Sequence, residues 1–340
     1  MILYLYLIFR LIWETGYSLF ITRCGLVQVV DRPQIIGSNS GLQLTGFLPS
    51  FYAMTFLSQT VLLEIIYNYM PFQKHIPKFK SYFVDRQTDA RIDIIRPANN
   101  ANSVLILFLG LGGTTQNAGY LAPWFDVYER LGITLAVINR KTNQVSTHAD
   151  IQDMSLCLSW LKNKFSDSRR IAVGYSSGGN HLVKTLGAMN DQTIVEKAIT
   201  ISTNHYLPDL LELLYKNDFM NQILGFSVKK VLLKQLNMHY SRITEIDSVI
   251  ADYFGYRDLQ NYWENVSSLQ ELREIRIPTL IVFSQDDILC ESMLSKVKDI
   301  IDNNENVTAI VTKYGGHVTW LTHKSRTPWI IDTVMAFSSL

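Results

Sequence analysis

The sequence predicts an α/β fold in which a mainly parallel, eight-stranded sheet is flanked by helices and carries a helical lid insertion. Short β-branched and apolar runs alternate with stretches of helical pattern, as is typical of parallel strands joined by crossover helices. A glycine-rich strand-to-helix turn lies near the middle of the chain, and a long apolar, helical interval follows the sixth strand. With 340 residues, 47% of them hydrophobic, the chain has ample material for a large buried core.

The predicted elements follow one another in the order that such a sheet needs. Residues 81–96 predict a strand pair that turns at Thr88 and Asp89 and opens the sheet. Six further strands are predicted over residues 104–109, 133–139, 170–175 and 194–201, in the run after Pro278, and over 307–312. Helices are predicted over 118–130, 149–165 and 179–189.

The interval from about residue 204 to 277 is the predicted lid. It is helical in pattern and rich in leucine and aromatic residues, with Leu210, Leu211 and Trp263 as examples. Its apolar side is expected either to wall an acyl-chain pocket or simply to pack on the sheet. The α/β domain as a whole is predicted over residues 81–340, after a helical extension over 31–80.

Residues 1–30 form a hydrophobic N-terminal segment and a candidate membrane anchor. Residues 2–9 are continuously apolar, whereas Arg10 and Glu14 interrupt the pattern four positions apart, where they can pair on one helical face. Apolar residues offset the cost of these charges, so insertion into a bilayer is near balance. A helix packed on the domain and a cleaved targeting segment are the alternatives. We expect membrane association, single-pass or monotopic, with the endoplasmic reticulum as the first organelle to test.

Ser176 is the predicted nucleophile. Residues 174–178 read G-Y-S-S-G between a β-branched strand and a helix, which is the G-x-S-x-G pattern in the structural context that its chemistry requires. Glycines two positions before and after the serine let strand and helix approach each other closely. The hydroxyl is then exposed near a helix N-terminus, whose partial positive charge favours an anionic intermediate.

A serine hydroxyl needs a base, and the base needs an orienting acid. His317 follows the last strand and two glycines, and an acidic pair, Asp286 and Asp287, ends the strand after Pro278. The order serine, acid, histidine is the one that accompanies this type of turn. The register of the loop favours Asp287 as the acid, in which case Asp286 is a capping carboxylate. Asp286 remains the alternative acid.

A glycine-rich loop over residues 110–113 follows the buried strand at 104–109. Such a loop supplies one backbone N–H to an oxyanion hole, and the residue after the nucleophile supplies the other. These residues are predicted to be Leu111 and Ser177. Neither a Walker A pattern nor a dinucleotide-binding glycine pattern is completed here, so nucleotide binding has little support.

These motifs together resemble AB hydrolase family 4 of the α/β-hydrolase superfamily, over roughly residues 45–320. The matching segments are 56–60, the glycine loop at 110–113, Asn139-Arg140, the serine turn at 174–180, the acidic pair, and 315–320. The family contains animal membrane-anchored lipid hydrolases and yeast medium-chain fatty-acid ethyl ester synthase/esterases. The chain departs from it where Leu109 precedes the loop and where Lys141 follows Arg140. The resemblance implies the α/β-hydrolase fold and an ester substrate.

Composition excludes several other classes of function. The net charge is +1, so the chain lacks the large excess of positive charge that is typical of nucleic-acid-binding proteins. The three cysteines form neither a C-x-x-C pair nor a metal-ligand pattern with histidine, and no metal or cofactor is expected. The serine, acid and histidine motifs lead us to expect a serine esterase, lipase or phospholipase, and the apolar lid and possible membrane anchor point to a lipid ester as its substrate. An acyltransferase on the same triad is the alternative, and a catalytically silent binding protein on this fold is the third hypothesis.

Overall fold

A computed structural model describes residues 29–31, 33–37, 51–53, 77–85, 87, 89–99, 102–116, 118–140, 145–189, 192–236, 240–313, 315–318, 320 and 329–339. Nearly all of the candidate anchor over 1–30, and most of the helical extension predicted over 31–80, lie outside these residues. The described pieces of 31–80 include two short strands rather than helices. In the described part of the chain, no helix is both long and apolar enough to cross a membrane.

The strands, in chain order, are Val29–Asp31 (β1), Gln34–Ile36 (β2), Phe51–Ala53 (β3), Lys80–Asp85 (β4), Ala90–Ile95 (β5), Ser103–Phe108 (β6), Ile133–Asn139 (β7), Arg169–Tyr175 (β8), Lys197–Ile201 (β9), Thr279–Ser284 (β10) and Val307–Thr312 (β11). Strands β1 and β3 form a small separate antiparallel pair. The other nine described strands form one sheet in the order β2-β11-β10-β9-β8-β6-β7-β5-β4.

The prediction of a mainly parallel sheet is confirmed, but the predicted count of eight strands is one too low. Strands β7, β6, β8, β9, β10 and β11 run parallel to one another. At one edge, β5 pairs antiparallel with β7, and β4 pairs antiparallel with β5. The additional strand, β2, pairs antiparallel with β11 at the other edge. It was missed because only three residues take part, too short a run for a periodic pattern to be read.

The central strands are buried on both faces because alternate side chains point to opposite sides of the sheet. In β6, Val104, Ile106 and Phe108 join the core on one face, whereas Leu105 and Leu107 join the core on the other. A strand packed on both faces reads as a continuous apolar run, and that is the pattern that predicted it.

The helices are Ala122–Leu131 (α1), Ile151–Lys164 (α2), Ser177–Ala188 (α3), Pro208–Lys216 (α4), Asp218–Leu236 (α5), Ile243–Tyr253 (α6), Leu259–Val266 (α7), Leu269–Glu274 (α8), Met293–Asn303 (α9) and Trp329–Ser338 (α10). Those predicted from the sequence over 118–130, 149–165 and 179–189 correspond to α1, α2 and α3, with ends that differ by a few residues. Helix α3 begins directly after Ser176 and therefore carries the glycine-rich turn.

The predicted lid is helical, and its packing divides it into two parts. Helices α4 to α7 share a separate apolar core that includes Leu214, Ile246 and Trp263. Helix α8 instead buries Leu272 in the sheet core, and Glu271 forms an ion pair with Lys184 on α3 at 2.6 Å. The separately packed insertion therefore ends near residue 266, and the remainder of the 204–277 interval belongs to the α/β body.

Candidate active site

Ser176 occupies the sharp turn between β8 and α3. Its φ and ψ angles are 52° and −123°, a conformation that residues with a Cβ rarely adopt. The flanking glycines are needed because β8, α3 and the end of β6 lie very close together at this turn. A Cβ on Gly178 would lie 2.3 Å from the carbonyl oxygen of Phe108, and a Cβ on Gly174 would lie 2.4 Å from Cα of Gly179. The strained turn lifts the serine hydroxyl away from the sheet and into the space beneath the lid.

The three side chains predicted to act together lie within hydrogen-bonding distance of one another. Oγ of Ser176 is 2.9 Å from Nε2 of His317, and Nδ1 of His317 is 2.7 Å from Oδ2 of Asp287. Nucleophile, base and acid come from three loops that follow β8, β11 and β10, so the parallel sheet brings their carboxyl ends to one edge. The order of contacts is that of a Ser-His-Asp triad.

Asp287 is fully buried and bonded through both of its carboxylate oxygens. Oδ1 accepts the backbone N–H of Leu289 at 3.1 Å, while Oδ2 faces His317. The thiol of Cys290 also hydrogen bonds to Asp287, and burial raises the pKa of that thiol well above its ordinary value. Cys290 is therefore a neutral donor to the carboxylate. Of the two acids left open by the sequence, Asp287 is the one in contact with His317.

Asp286 holds the loop that carries the histidine. Its carboxylate accepts the backbone N–H of Gly316 at 3.0 Å and that of Gly315 at 3.3 Å. Burial raises the pKa of Asp286 above its ordinary value, and these backbone hydrogen bonds act in the opposite direction. Asp286 is thus a capping carboxylate, one residue removed from the acid that contacts His317.

A tryptophan packs tightly under the same loop. A Cβ on Gly315 would lie 2.2 Å from Nε1 of Trp320, so only glycine fits between the indole and the turn. The indole N–H donates to Oγ1 of Thr312 at 3.0 Å, and the carbonyl of Gly316 accepts from Ser284 at 2.8 Å. The two glycines before His317 therefore let a compact, cross-linked loop deliver the imidazole.

The predicted oxyanion loop follows β6 and is tied to the body by a buried phenol. The N–H of Gly110 donates to the hydroxyl of Tyr120 at 2.8 Å, and the N–H of Gly113 donates to the carbonyl of Gly110 at 3.0 Å. Leu111, between them, lines the same cavity as Ser176 and Ser177. Ser177 is the first residue of α3, where backbone N–H groups lack intrahelical acceptors and can serve an anion.

A cavity of about 70 Å³ lies between the triad and the lid. Its apolar lining consists of Leu111, Leu207, Leu210, Leu214, Leu224, Ile243, Trp263 and Leu289. Its polar lining consists of His148, Ser176, Ser177, Ser202, Asn204, Asp247 and His317. Most of the apolar residues come from the predicted lid, so the insertion walls the pocket as well as packing on the body.

The sequence reasoning missed one polar pair in this cavity. Nε2 of His148 is 2.8 Å from Oδ2 of Asp247, and the same oxygen accepts the indole N–H of Trp263 at 2.9 Å. The partners lie 99 residues apart, and no local pattern marks either of them. Only the packing of the lid on the body brings them together.

Two other histidines are buried away from the cavity wall. Burial lowers the pKa of His205 to about 3, and its ring bonds to Ser268 rather than lining the pocket. Burial, followed by the positive charge of Arg140, lowers the pKa of His181 to about 3. Both rings are neutral near pH 7, so neither adds a charge to the site.

Asp287, Cys290 and His317 each place one potential ligand atom within 4.8 Å of the others. The chemistry of this set favours mutual hydrogen bonding over metal binding. The metal-binding form of cysteine is the thiolate, which burial disfavours here, and both ring nitrogens of His317 already have partners. These residues fit a triad better than they fit a metal centre.

No family model matches the sequence, but the chain is similar to several known proteins. The chain is 26% identical over 264 residues to a Mus musculus protein named phospholipase ABHD3, covering 71% of this chain and 61% of the mouse protein. It is 22% identical over 269 residues to a monoacylglycerol lipase of Saccharomyces cerevisiae, covering 71% of this chain and 60% of the yeast protein. The match thus spans less than two thirds of either relative.

The fold is similar to that of a solved structure, Thermogutta terrifontis esterase 2 phosphonylated by sarin. The TM-score is 0.51 at 13% sequence identity, and the match covers 78% of this chain and 94% of the esterase. At this identity the likeness concerns the fold alone.

Proposed function

The chain is a member of the α/β-hydrolase superfamily, and from this premise we propose that it is a serine hydrolase that cleaves carboxylic esters of lipids. The observation that carries the proposal is the continuous chain of hydrogen bonds from Asp287 through His317 to Ser176, at one end of a leucine-rich cavity. A buried carboxylate, an imidazole and a serine at a strained turn are the parts that acyl transfer needs.

The first half of the reaction forms an acyl-enzyme. Oγ of Ser176 attacks the ester carbonyl carbon while Nε2 of His317 takes the hydroxyl proton. Asp287 keeps the other ring nitrogen protonated and stabilises the imidazolium that results. The tetrahedral oxyanion is held by the backbone N–H groups of Leu111 and Ser177, and removing one such donor typically costs about 2.7–4 kcal/mol. Collapse breaks the bond to the alcohol, which leaves with the proton from His317.

The second half releases the acid. His317 takes a proton from water as the water oxygen attacks the acyl carbon. The second tetrahedral intermediate collapses, the bond to Oγ breaks, and His317 returns the proton to Ser176. The carboxylic acid is the product, and the enzyme is regenerated without a cofactor.

The leucine lining of the cavity supports a lipid substrate. An aliphatic chain gains free energy by leaving water for such a surface, and the polar lining residues include the reacting serine and His317. The names of the mouse and yeast relatives, a phospholipase and a monoacylglycerol lipase, agree with this substrate class. Both names denote enzymes that use water, and this favours water as the acyl acceptor here. An alcohol as acceptor would make the same triad an acyltransferase.

Membrane association through residues 1–30 is part of the proposal, and it rests on the apolar sequence of that segment. Deletion of residues 1–23 is expected to move the protein from the membrane pellet to the supernatant. If the truncated protein stays in a carbonate-washed pellet, this segment is not the sole tether. The organelle is then found by microscopy of the full chain, starting with the endoplasmic reticulum.

The proposal is tested by ester hydrolysis with the Ser176→Ala variant and a matched serine control. Ser166 lies on an exposed turn and is not among the residues that line the cavity, so Ser166→Ala should hydrolyse octanoyl esters at the wild-type rate. Ser176→Ala should lose at least about 10³-fold in kcat with an unchanged melting temperature. Activity retained by Ser176→Ala would contradict the assignment of the nucleophile. Adding ethanol or glycerol and measuring the new ester separates hydrolysis from acyl transfer.

A further inference from the structure

Strand β9 lies between β8, which leads to Ser176, and β10, which leads to Asp287, and its own carboxyl end supplies no member of the triad. Residues 201–204, which end β9 and follow it, therefore lie in the middle of the sheet edge where the catalytic loops meet. All four are buried, although three of them are polar. Buried polar groups need hydrogen-bond partners, and here the partners indicate what the segment does.

The first partner of this segment is the nucleophile itself. The N–H of Ser176 donates to the carbonyl of Ile201 at 2.8 Å, and the hydroxyl of Thr203 donates to the carbonyl of Ser176 at 3.0 Å. Thr203 also fits closely under the first turn of α3, where a Cβ on Gly179 would lie 1.9 Å from its hydroxyl oxygen. Both backbone polar groups of the nucleophile are therefore held by residues of the segment.

The second partner is the loop that carries the base. The N–H of Val318, the residue after His317, donates to Oγ of Ser202 at 3.3 Å, and both residues are buried. Each has a positive φ, 49° for Ser202 and 80° for Val318, which is unfavourable for a residue with a Cβ and most of all for a β-branched one. Strained backbone persists only where the surrounding structure holds it. The hydrogen bond thus joins two strained positions, one of them adjacent to His317.

The third partner is the loop of the acid. The amide of Asn204 donates to the carbonyl of Leu289 at 3.0 Å, and the N–H of Leu289 donates in turn to Oδ1 of Asp287 at 3.1 Å. The N–H of Ser202 also donates to the carbonyl of Val282 in β10 at 2.8 Å, which continues the parallel pairing of β9 with β10. One buried segment of four residues therefore contacts the loops of nucleophile, base and acid.

We propose that Ser202 is a positioning residue of the triad, whose hydroxyl oxygen accepts the N–H of Val318 and so holds the imidazole of His317 against Oγ of Ser176. This inference rests on the proposed function and adds to it a residue that acts through the loop of the base. Ser202 lies between the two residues of the segment that bond to Ser176. Three consecutive residues thus set the positions of nucleophile and base relative to each other.

The leaving group of the ester reports on the position of the imidazole. During formation of the acyl-enzyme, His317 takes the proton of Ser176 and then gives it to the departing alcohol. The p-nitrophenolate anion leaves without that proton, whereas ethoxide needs it. A displaced imidazole should therefore slow ethyl octanoate more than p-nitrophenyl octanoate. The ratio of kcat/KM for the two esters within one protein cancels any general loss of active enzyme, so a purely structural defect leaves that ratio unchanged.

Two substitutions at position 202 separate positioning from folding. Ser202→Ala removes the acceptor and leaves the N–H of Val318 unpaired. Ser202→Gly removes the same acceptor, but glycine adopts a φ of 49° without strain, which favours the folded backbone. Ser267→Ala is the matched control, because Ser267 is a buried serine that accepts the N–H of Leu207 at 2.9 Å and is not among the cavity-lining residues. The full chain is used, and melting temperatures report on folding.

In both Ser202 variants, kcat/KM should fall about 30- to 100-fold for ethyl octanoate and less than about tenfold for p-nitrophenyl octanoate, since a misplacement of about 1 Å can cost about 100-fold. Ser267→Ala should keep the wild-type ratio whatever its melting temperature. A wild-type ratio in both Ser202 variants would overturn the proposal. So would an effect on KM alone, which would make Ser202 a substrate contact, or failure of both variants to fold, which would make it a structural residue.

Failure of this inference is distinguishable from failure of the proposed function. A folded wild-type protein that hydrolyses neither ester contradicts the proposed function itself. A wild-type protein that hydrolyses both esters, with the same ratio as its Ser202 variants, contradicts the role of Ser202 alone.

Discussion

Asp286 accepts a hydrogen bond from the backbone N–H of Gly316, the residue that immediately precedes His317, at 3.0 Å. The neighbouring carboxylate, Asp287, contacts the imidazole itself at 2.7 Å. Two adjacent acids thus serve one histidine in different ways, one through its backbone and the other through its ring. This division gives them separable effects on activity.

Asp287→Asn should lower kcat by about 10³–10⁴-fold, because an amide in place of the carboxylate favours the wrong tautomer of His317. Asp286→Asn should cost less than about tenfold, since the amide oxygen still accepts one backbone N–H. Steady-state kinetics of the two variants measures the difference. A larger loss in Asp286→Asn than in Asp287→Asn would reverse the assignment of the acid.

Tyr120→Phe should lower kcat with little change in KM. The phenol hydroxyl accepts the N–H of Gly110 and so fixes the loop that presents Leu111. If the loop is less firmly held, the N–H of Leu111 stabilises the transition state less well while substrate binding changes little. We therefore expect kcat to fall about tenfold. Tyr128→Phe, on the same side of the sheet but outside the cavity lining, is the control. Equal kcat in both variants would show that the phenol does not support the loop.

Gly178→Ala should destabilise the protein severely, whereas Gly132→Ala should be tolerated. The new methyl group at Gly178 meets a backbone oxygen 2.3 Å away, which cannot move without breaking the sheet. At Gly132 no atom lies within 4 Å of the added Cβ, and only the φ of +63° is unfavourable. Thermal unfolding should show that the free energy of unfolding falls by more than about 3 kcal/mol in Gly178→Ala and by about 1–2 kcal/mol in Gly132→Ala. Similar losses would refute close strand-to-helix packing at Gly178.

The free energy of unfolding should fall as the pH drops below about 6.5, partly because of His205. Burial lowers the pKa of His205 to about 3 in the folded protein, whereas the unfolded chain binds the proton near pH 6.5. Between these values the unfolded state holds more protons, so acid favours unfolding by up to about 1.4 kcal/mol per pH unit. Denaturant titrations from pH 7 to pH 4 should show a shallower slope for His205→Gln. Identical slopes would mean that the ring is charged in the folded state.

Much of the site could be predicted because its chemistry imposes local patterns. The glycines around Ser176 are required by contacts of 2.3–2.4 Å, and those before His317 by the indole of Trp320. Because these contacts require glycine at fixed positions, they can be recognised in the sequence. The buried strands were readable for the same reason, since packing on both faces demands continuous apolar runs.

The features that could not be predicted depend on partners far apart in the chain. His148 meets Asp247 only after the lid has packed on the body, and β2 is a strand only because β11 presents a free edge. A linear pattern contains no information about such distant partners. The register of the loop favours Asp287 over Asp286 as the acid, and the structure adds the direction of the two side chains.

The most direct test of the central claim is covalent labelling of wild type, Ser176→Ala and His317→Asn with a fluorophosphonate probe, followed by peptide mapping. An activated serine attacks phosphorus and keeps the adduct, so wild type should be labelled on the peptide that contains Ser176. Ser176→Ala should not be labelled, and His317→Asn should react far more slowly. Labelling that persists in Ser176→Ala, or a folded wild type that reacts with neither this probe nor a smaller one, would contradict the triad.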